Sequence, residues 1–580
     1  MSQAWRSSHG PSRYWRSGAW SLELRHDEIA DIAFDGRSVL RSVRAVVRDR
    51  DWNTAAWVSE GARESADALH LALRSDGHGS AISGMLHVTA SGDTLSVTFD
   101  AVSHTEFATN RTGLVVLHPP QLTGHDLTVT HTAGPEETTR FPVAISPHQP
   151  VFDIAGLAWH AGGLAVDVCF SGDVFEMEDQ RNWTDASYKT YSRPLALPFP
   201  YVLEAGERVV QSVVVTAQSV GTEPAAGPVD RIVLERTGVF PAVTVGASTA
   251  PDPAPSVAPV GSSLLVELDL ASSNWSAALR RAAASGLPLD VRFVLDDEDH
   301  GGIRSGVKAL APHRIARVSA FWPTGPARHV SDVAATRLLR EALAIAGIDI
   351  PVIGGAGSHF TELNREYHRL PDDLDGVVFS VTPLFHSLTT EQLTESLAMQ
   401  RLVAAQAVKI AGGAPVHIGP ISLRPHFNNV ATTPAPVSPS TDLRSGYGPQ
   451  LIDADDDRQS SPELAAWTIA SAAALAVPGV DSLSYFEEWG PRGIRTSEGE
   501  ELAVAVAVKA LSVLSGSLLL SGESPDGLLW AIGGETSEGM TVIIANLDRV
   551  SRSFSLQFAG TPPRVDVLAG EWLRIDLPQS

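Results

Sequence analysis

"DGVVFSVTPLFHSLTTEQLTESLAMQRLVAAQAVKIAGGAPVHIGPI", residues 375–421, decides the fold. A short β-branched apolar run ends at Val381. A long segment of helical spacing follows and stops at Gly412 and Gly413. A second apolar run then begins at Ala414. Strand, helix and strand in this order are the unit of a parallel sheet. The same unit recurs on both sides. Strands read at 242–247, 263–270, 288–295, 315–322, 350–355, 375–381, 414–421 and 480–486, with helical segments between most of them. Eight strands alternating with helices predict a TIM (β/α)8 barrel. The Pro-rich stretch 247–261 reads as a surface loop or a linker.

The pattern differs outside the barrel. Residues 20 to about 228 alternate apolar and polar with period two, as in "MLHVTASGDTLSVTFDAVSH" (85–104), and predict an N-terminal β-sandwich. Strands return after the helical "EGEELAVAVAVKALSVLSG" (498–516) and predict a small C-terminal β domain. The fold class is thus multidomain, α/β plus all-β. Its expected domains are a β-sandwich at 1–228, a barrel at 229–515 and a β domain at 516–580.

Composition narrows the function. The 580 residues carry a formal net charge of −24, and no Lys/Arg cluster offers a basic face, so nucleic acid is not an expected partner. No stretch approaches eighteen apolar residues without a charge, and no membrane span is expected. The N-terminal "MSQAWRSSHGPSRYWRSGAW" lacks the apolar run of a signal peptide, and Cys169 is the lone cysteine, which excludes intrachain disulfides and C-x-x-C zinc sites. A cytoplasmic protein is the expectation.

Reactive side chains of a barrel sit at the C-terminal ends of its strands. Those ends carry Trp322, His359, Glu362, Asn364, Arg365, His386, Arg424, His426, Asn428, Glu487, Glu488, Trp489 and Arg492. Glu362 and Glu487 stand three strands apart and are the expected acid and base, with His426 as a third catalytic candidate. If the weak strand 242–247 is left uncounted, the two glutamates follow strands four and seven. That is the placement of the acid/base and nucleophile in a large clan of retaining glycosidases. Either Glu could instead cap a helix or pair with a barrel Arg. His359, His386 and His426 could each be a base, a hydrogen-bond donor or a solvated side chain. Asp296, Asp297, Glu298, Asp299 and His300 could offer oxygens to a hard cation, but with no second ligand cluster no metal is expected. G-x-S-x-G, H-E-x-x-H, the P-loop and G-x-G-x-x-G are all absent, so no cofactor is expected.

One segment fits none of the domains well: "FEMEDQRNWTDASYKTYSRPL", 175–195, which crowds charges, Trp183, Tyr188 and Tyr191 into a β region. Its first seventeen residues, together with "TNRTGLVVLHP" (109–119), "FTELNR" (360–365) and "YFE" (485–487), resemble the D-apionate lactonase family of bacterial sugar catabolism. The resemblance implies three parts, a β domain, a TIM barrel and a C-terminal β domain. It also implies hydrolysis of D-apionolactone to D-apionate. If the segment reaches the barrel mouth, Arg181, Asn182, Asp185 and Lys189 bind hydroxyls, Trp183 packs on a carbon face and Tyr191 stands beside them. The competing reading is a buried domain interface held by ion pairs. Trp322, Asn364, His386, Arg424, Asn428 and Glu488 complete the expected substrate contacts.

Lactone hydrolysis needs an activated water and a stabilised oxyanion. Glu487 or Glu362 would be the base, the other glutamate the acid, and Arg424, His426 or Lys189 the oxyanion partner. The substrate would be a small sugar lactone. A glycoside hydrolase using the same two glutamates is the alternative, and a non-catalytic sugar-binding protein the second. Turnover should survive EDTA. Loss with chelation and recovery with a divalent ion would make Asp296, Glu298 and His300 the leading ligands.

Overall fold

Apolar runs bounded by helices close into a barrel because parallel strands need helices on their outer face. The computed structural model describes the chain apart from residues 1, 7–11, 222–230, 297–300, 434–435, 453, 538, 559–563 and 579–580. The barrel strands are β1 (Ala242–Gly246), β2 (Leu264–Asp269), β3 (Leu289–Val294), β4 (Ile315–Phe321), β5 (Gly354–His359), β6 (Val377–Val381), β7 (Val416–Ile421) and β8 (Val480–Glu487). They lie in the order β4-β3-β2-β1-β8-β7-β6-β5. A bridge between Val318 and Val352 closes the remaining gap between β4 and β5. The helices are α1 (Trp275–Ala283), α2 (Gly301–Leu310), α3 (Val333–Ala346), α4 (Phe360–Glu366), α5 (Thr390–Ala411), α6 (Glu463–Leu475) and α7 (Ala503–Ser512). All 13 residues of α6 are buried. Its "ELAAWTIASAAAL" lacks a polar face because C-terminal strands cover the side turned from the barrel, bringing Trp530, Ile532 and Ile543 into the same core.

Three expectations need correction. The weak first strand is a full member, paired with both β2 and β8. Glu362 therefore follows strand five and Glu487 ends strand eight, so the four-and-seven placement is not met. Strand five begins four residues later than expected, at Gly354 rather than 350. Glycine-rich "GGAGSH" has poor strand propensity, yet only glycine fits. Gly355 has φ +141°, and a Cβ there would lie 2.3 Å from the Val378 carbonyl oxygen. The later strand leaves no loop before α4, so Glu362 rides on that helix's first turn. Thirdly, strands Arg231–Val233 and Glu235–Val239 were expected within the barrel. They pair instead with Arg552–Gln557 and Leu518–Ser521 of the C-terminal sheets.

The N-terminal domain is a continuous antiparallel sheet of 17 strands over one apolar core that includes Trp20, Phe99, Trp159 and Val213.

Gly355→Ala must both adopt a strained φ and push back β6. We expect a loss of about 3 kcal/mol and a Tm lower by roughly 6–12 °C in calorimetry. An unchanged Tm would mean that strand five does not run through Gly355 as described.

Candidate active site

Period two along β2 puts Leu265, Glu267 and Asp269 on one face, turned into the barrel. Glu267 reaches the mouth, where it shares a cleft with Ser358 and His359 of β5, Thr382 beyond β6 and His426 beyond β7. His426 Nδ1 lies 2.7 Å from Glu267 Oε2. Ser358 Oγ donates to Glu362 Oε2 at 2.7 Å, and Asn429 Nδ2 donates to Glu362 Oε1 at 2.8 Å. Burial holds the Glu362 carboxyl above the usual carboxylate range, although the Ser358 hydrogen bond works against it. Burial also lowers His359 to about 3, so its ring is neutral, and Nε2 contacts Thr382 Oγ1.

Glu487 has a different setting. Its Oε1 accepts from Thr249 Oγ1 (2.7 Å) and Arg492 Nε (2.9 Å), and its Oε2 accepts from the Thr249 amide (2.8 Å). The side chain is 2% exposed. Arg492 also pairs with Asp455. Pairing with a barrel Arg, left open by the sequence, is what this carboxylate does. The loop after β1, expected at the surface, supplies its other partner in buried Thr249. Glu488 is also buried, and burial pushes it up to about 7 against the charges of Arg495 and Arg281.

The sequence profile of the D-apionate lactonase N-terminal domain matches residues 1–220, and that of the D-apionate lactonase TIM barrel domain matches 237–518. A curated D-apionate lactonase from Brucella anthropi is 30% identical, with 94% of this chain and 96% of that protein covered. The chain belongs to the D-apionate lactonase family. Among solved structures, a β-arabinopyranosidase is 9% identical with 98% of each chain covered and a TM-score of 0.31. A GH30 endoxylanase from Clostridium papyrosolvens is 12% identical over 60% of this chain and 96% of its own, with a TM-score of 0.37.

In this D-apionate lactonase family member the 175–195 segment is a hairpin, Phe175–Asp179 and Tyr188–Ser192 joined through the turn Gln180–Trp183. Its strands belong to the N-terminal sheet, and its turn packs against α4 and α5 of the barrel. Arg181 pairs with Asp179 at 2.7 Å and donates to the carbonyls of Pro142, Val143 and Ala144. Asn182 Oδ1 accepts from Asn364 Nδ2 at 2.8 Å. Trp183 stacks on Phe385 with centroids 4.5 Å apart. Asp185 meets His386 at 2.7 Å, and Lys189 meets Glu178 at 2.8 Å. Tyr191 donates to Glu176.

The remaining expected contacts are dispersed. Trp322 donates to Asp332, Arg424 to the Asp455 carbonyl, and Asn428 to the Asp51 carbonyl of the N-terminal domain. Of the expected residues, the mouth thus gathers His359 and His426 in the cleft and Glu362 behind Ser358. It adds Glu267, Ser358, Thr382 and Asn429, which the strand-end reading missed. The signal for Glu267 was a carboxylate in the middle of an apolar strand, on the same face as Asp269. Asp297, Glu298, Asp299 and His300 lie outside the described residues.

A carboxyl raised by burial stabilises the fold below its ordinary value near 4.5 and loses that contribution as pH rises through about 7. Glu488→Gln should therefore match the wild type near pH 4.5 and exceed it by about 2–3 kcal/mol at pH 8. Thermal unfolding at both values checks this. A constant difference would mean that Glu488 does not titrate in this window.

Proposed function

We propose that the protein hydrolyses a small sugar-acid lactone, D-apionolactone to D-apionate, at the barrel mouth. The family membership supports the reaction. The observation that carries the site is the His426–Glu267 pair sharing one cleft with Ser358, the hydrogen-bond partner of Glu362.

His426 takes a proton from water, and Glu267 on Nδ1 fixes the ring and steadies the imidazolium. The hydroxide attacks the ring carbonyl. With its Nε2–H given to Thr382, neutral His359 leaves the Thr382 proton free for the developing oxyanion. The ring C–O bond breaks, and Glu362, whose carboxyl burial makes a weaker acid, supplies the proton to the leaving oxygen. The product acid then ionises, and the proton held by His426 returns through solvent to Glu362. Glu487 serves as a buried clasp between the loop after β1 and Arg492. A glycosidase using Glu362 and Glu487 is not favoured, because Glu487 is locked in an ion pair with Arg492 and two bonds from Thr249, whereas the partners of Glu362 are the neutral Ser358 and Asn429.

The cleft measures about 10 Å³, so substrate entry requires the loop after β7 to swing out. That loop is tied to the N-terminal domain where Thr432 donates to Asp51 at 2.6 Å. We place the reaction in the cytoplasm, consistent with the lone, exposed Cys169. No helix among the described residues is long and apolar enough to cross a membrane.

Purified protein should open D-apionolactone and leave aryl glycosides intact. His426→Asn and Glu362→Gln should each lower kcat by about 10²–10⁴-fold with Tm unchanged. Glu487→Gln should instead cost about 3 kcal/mol of stability and change kcat little. Near-normal turnover in a folded His426→Asn variant would place the base elsewhere.

A further inference from the structure

A second cavity of about 50 Å³ lies between the N-terminal sheet and the barrel. It has room for roughly four waters. Arg41, Arg44, Arg48, Arg111 and Lys189 reach its wall, against three carboxylates, Glu28, Asp185 and Glu395. The carboxylates are already engaged. Arg41 holds Glu28 and Glu395, each at 3.0 Å, and Asp185 holds His386. Arg44 pairs with Asp27 at 2.9 Å and Lys189 with Glu178 at 2.8 Å.

Arg48 and Arg111 are left over. Neither makes an ion pair among the described residues. Arg48 donates to the Trp52 carbonyl at 3.1 Å. Arg111 is 6% exposed and lies 3.7 Å from the centroid of the Tyr191 ring, with its Nε and Nη2 buried and unpartnered. Guanidinium does not lose its proton in a protein. Two such charges side by side are unfavourable unless a counter-charge meets them directly, and Asp185 and Glu178 act on Arg48 without pairing with it. Burial and the neighbouring Arg111 accordingly lower Arg48 to about 10.

We propose that this interdomain cavity is a binding site for a small oxyanion, a carboxylate or a phosphate, gripped by Arg48 and Arg111 with Lys189 at its side. The planar guanidinium forks match either anion. The site shares no lining residue with the barrel mouth. The Trp183–Phe385 stack stands between them, touching His359 on the mouth side and His386 on the cavity side. The proposal goes beyond lactone hydrolysis and stands independently of it.

The test uses the full chain in a chloride buffer at fixed ionic strength. Potassium phosphate and sodium acetate are titrated separately, read by thermal shift and calorimetry. A saturable rise in Tm is expected with at least one of them. Acetate alone would mark a carboxylate as the ligand, and phosphate alone an inorganic one. Arg111→Met should weaken binding by about tenfold or more and should be at least as stable as the wild type in chloride alone, since it removes a buried charge that has no ion-pair partner. Arg48→Met is read in the same way, and serves if the first variant fails to fold. No saturable shift with either anion, or wild-type affinity in a folded variant, overturns the proposal.

Discussion

The hydrogen bond from Asn364 Nδ2 to Asn182 Oδ1 ties the barrel's working end to the N-terminal domain. Helix α4 has 7 residues, too few to hold itself in place. Its outer side is fixed from the hairpin, where Thr361 Oγ1 also donates to the Asn182 carbonyl at 3.0 Å. Asn182 is in turn anchored to the Ser146 and Asp179 carbonyls. Glu362 rides on α4, so the position of the candidate acid is set by a residue of another domain. This accounts for the odd composition of the hairpin. A polar residue that must be immobile is buried, and a buried polar residue must have all its partners supplied.

The same logic explains Arg181. Its guanidinium is enclosed, yet Asp179 and three backbone carbonyls take up its donors. Removing one partner of such a group costs far more than the interaction gains, because the other is left charged and dry. Glu487 and Arg492 repeat the device at the end of β8. The chain thus carries charged residues of two kinds near its barrel mouth, those sealed into clasps and those, such as Glu267 and His426, left facing the cleft.

This division marks what the sequence could disclose. The barrel was legible because eight apolar runs alternate with helical spacing, and the hairpin's peculiarity was visible from Trp183, Arg181 and Asp185 alone. Strand five was misplaced because its glycines answer to the nearness of Val378, a contact between elements. The strand-end rule singled out Glu362 and His426, which the proposed mechanism uses, but passed over Glu267, which projects from within β2. It could not separate Glu487 from Glu362. Both are carboxylates at strand ends, and only the presence of Thr249 and Arg492 around one of them distinguishes the clasp from the proposed acid.

The pairing of residues 231–239 with the C-terminal strands has a bearing on how the protein is made. Thr237 and Ser521 hydrogen-bond across 284 residues of chain. At translation rates of 5–20 residues per second, the early strands leave the ribosome roughly a quarter of a minute to a minute before their partners exist. Throughout that interval they are open sheet edges beside a half-built barrel, the kind of surface that recruits chaperones or other nascent chains.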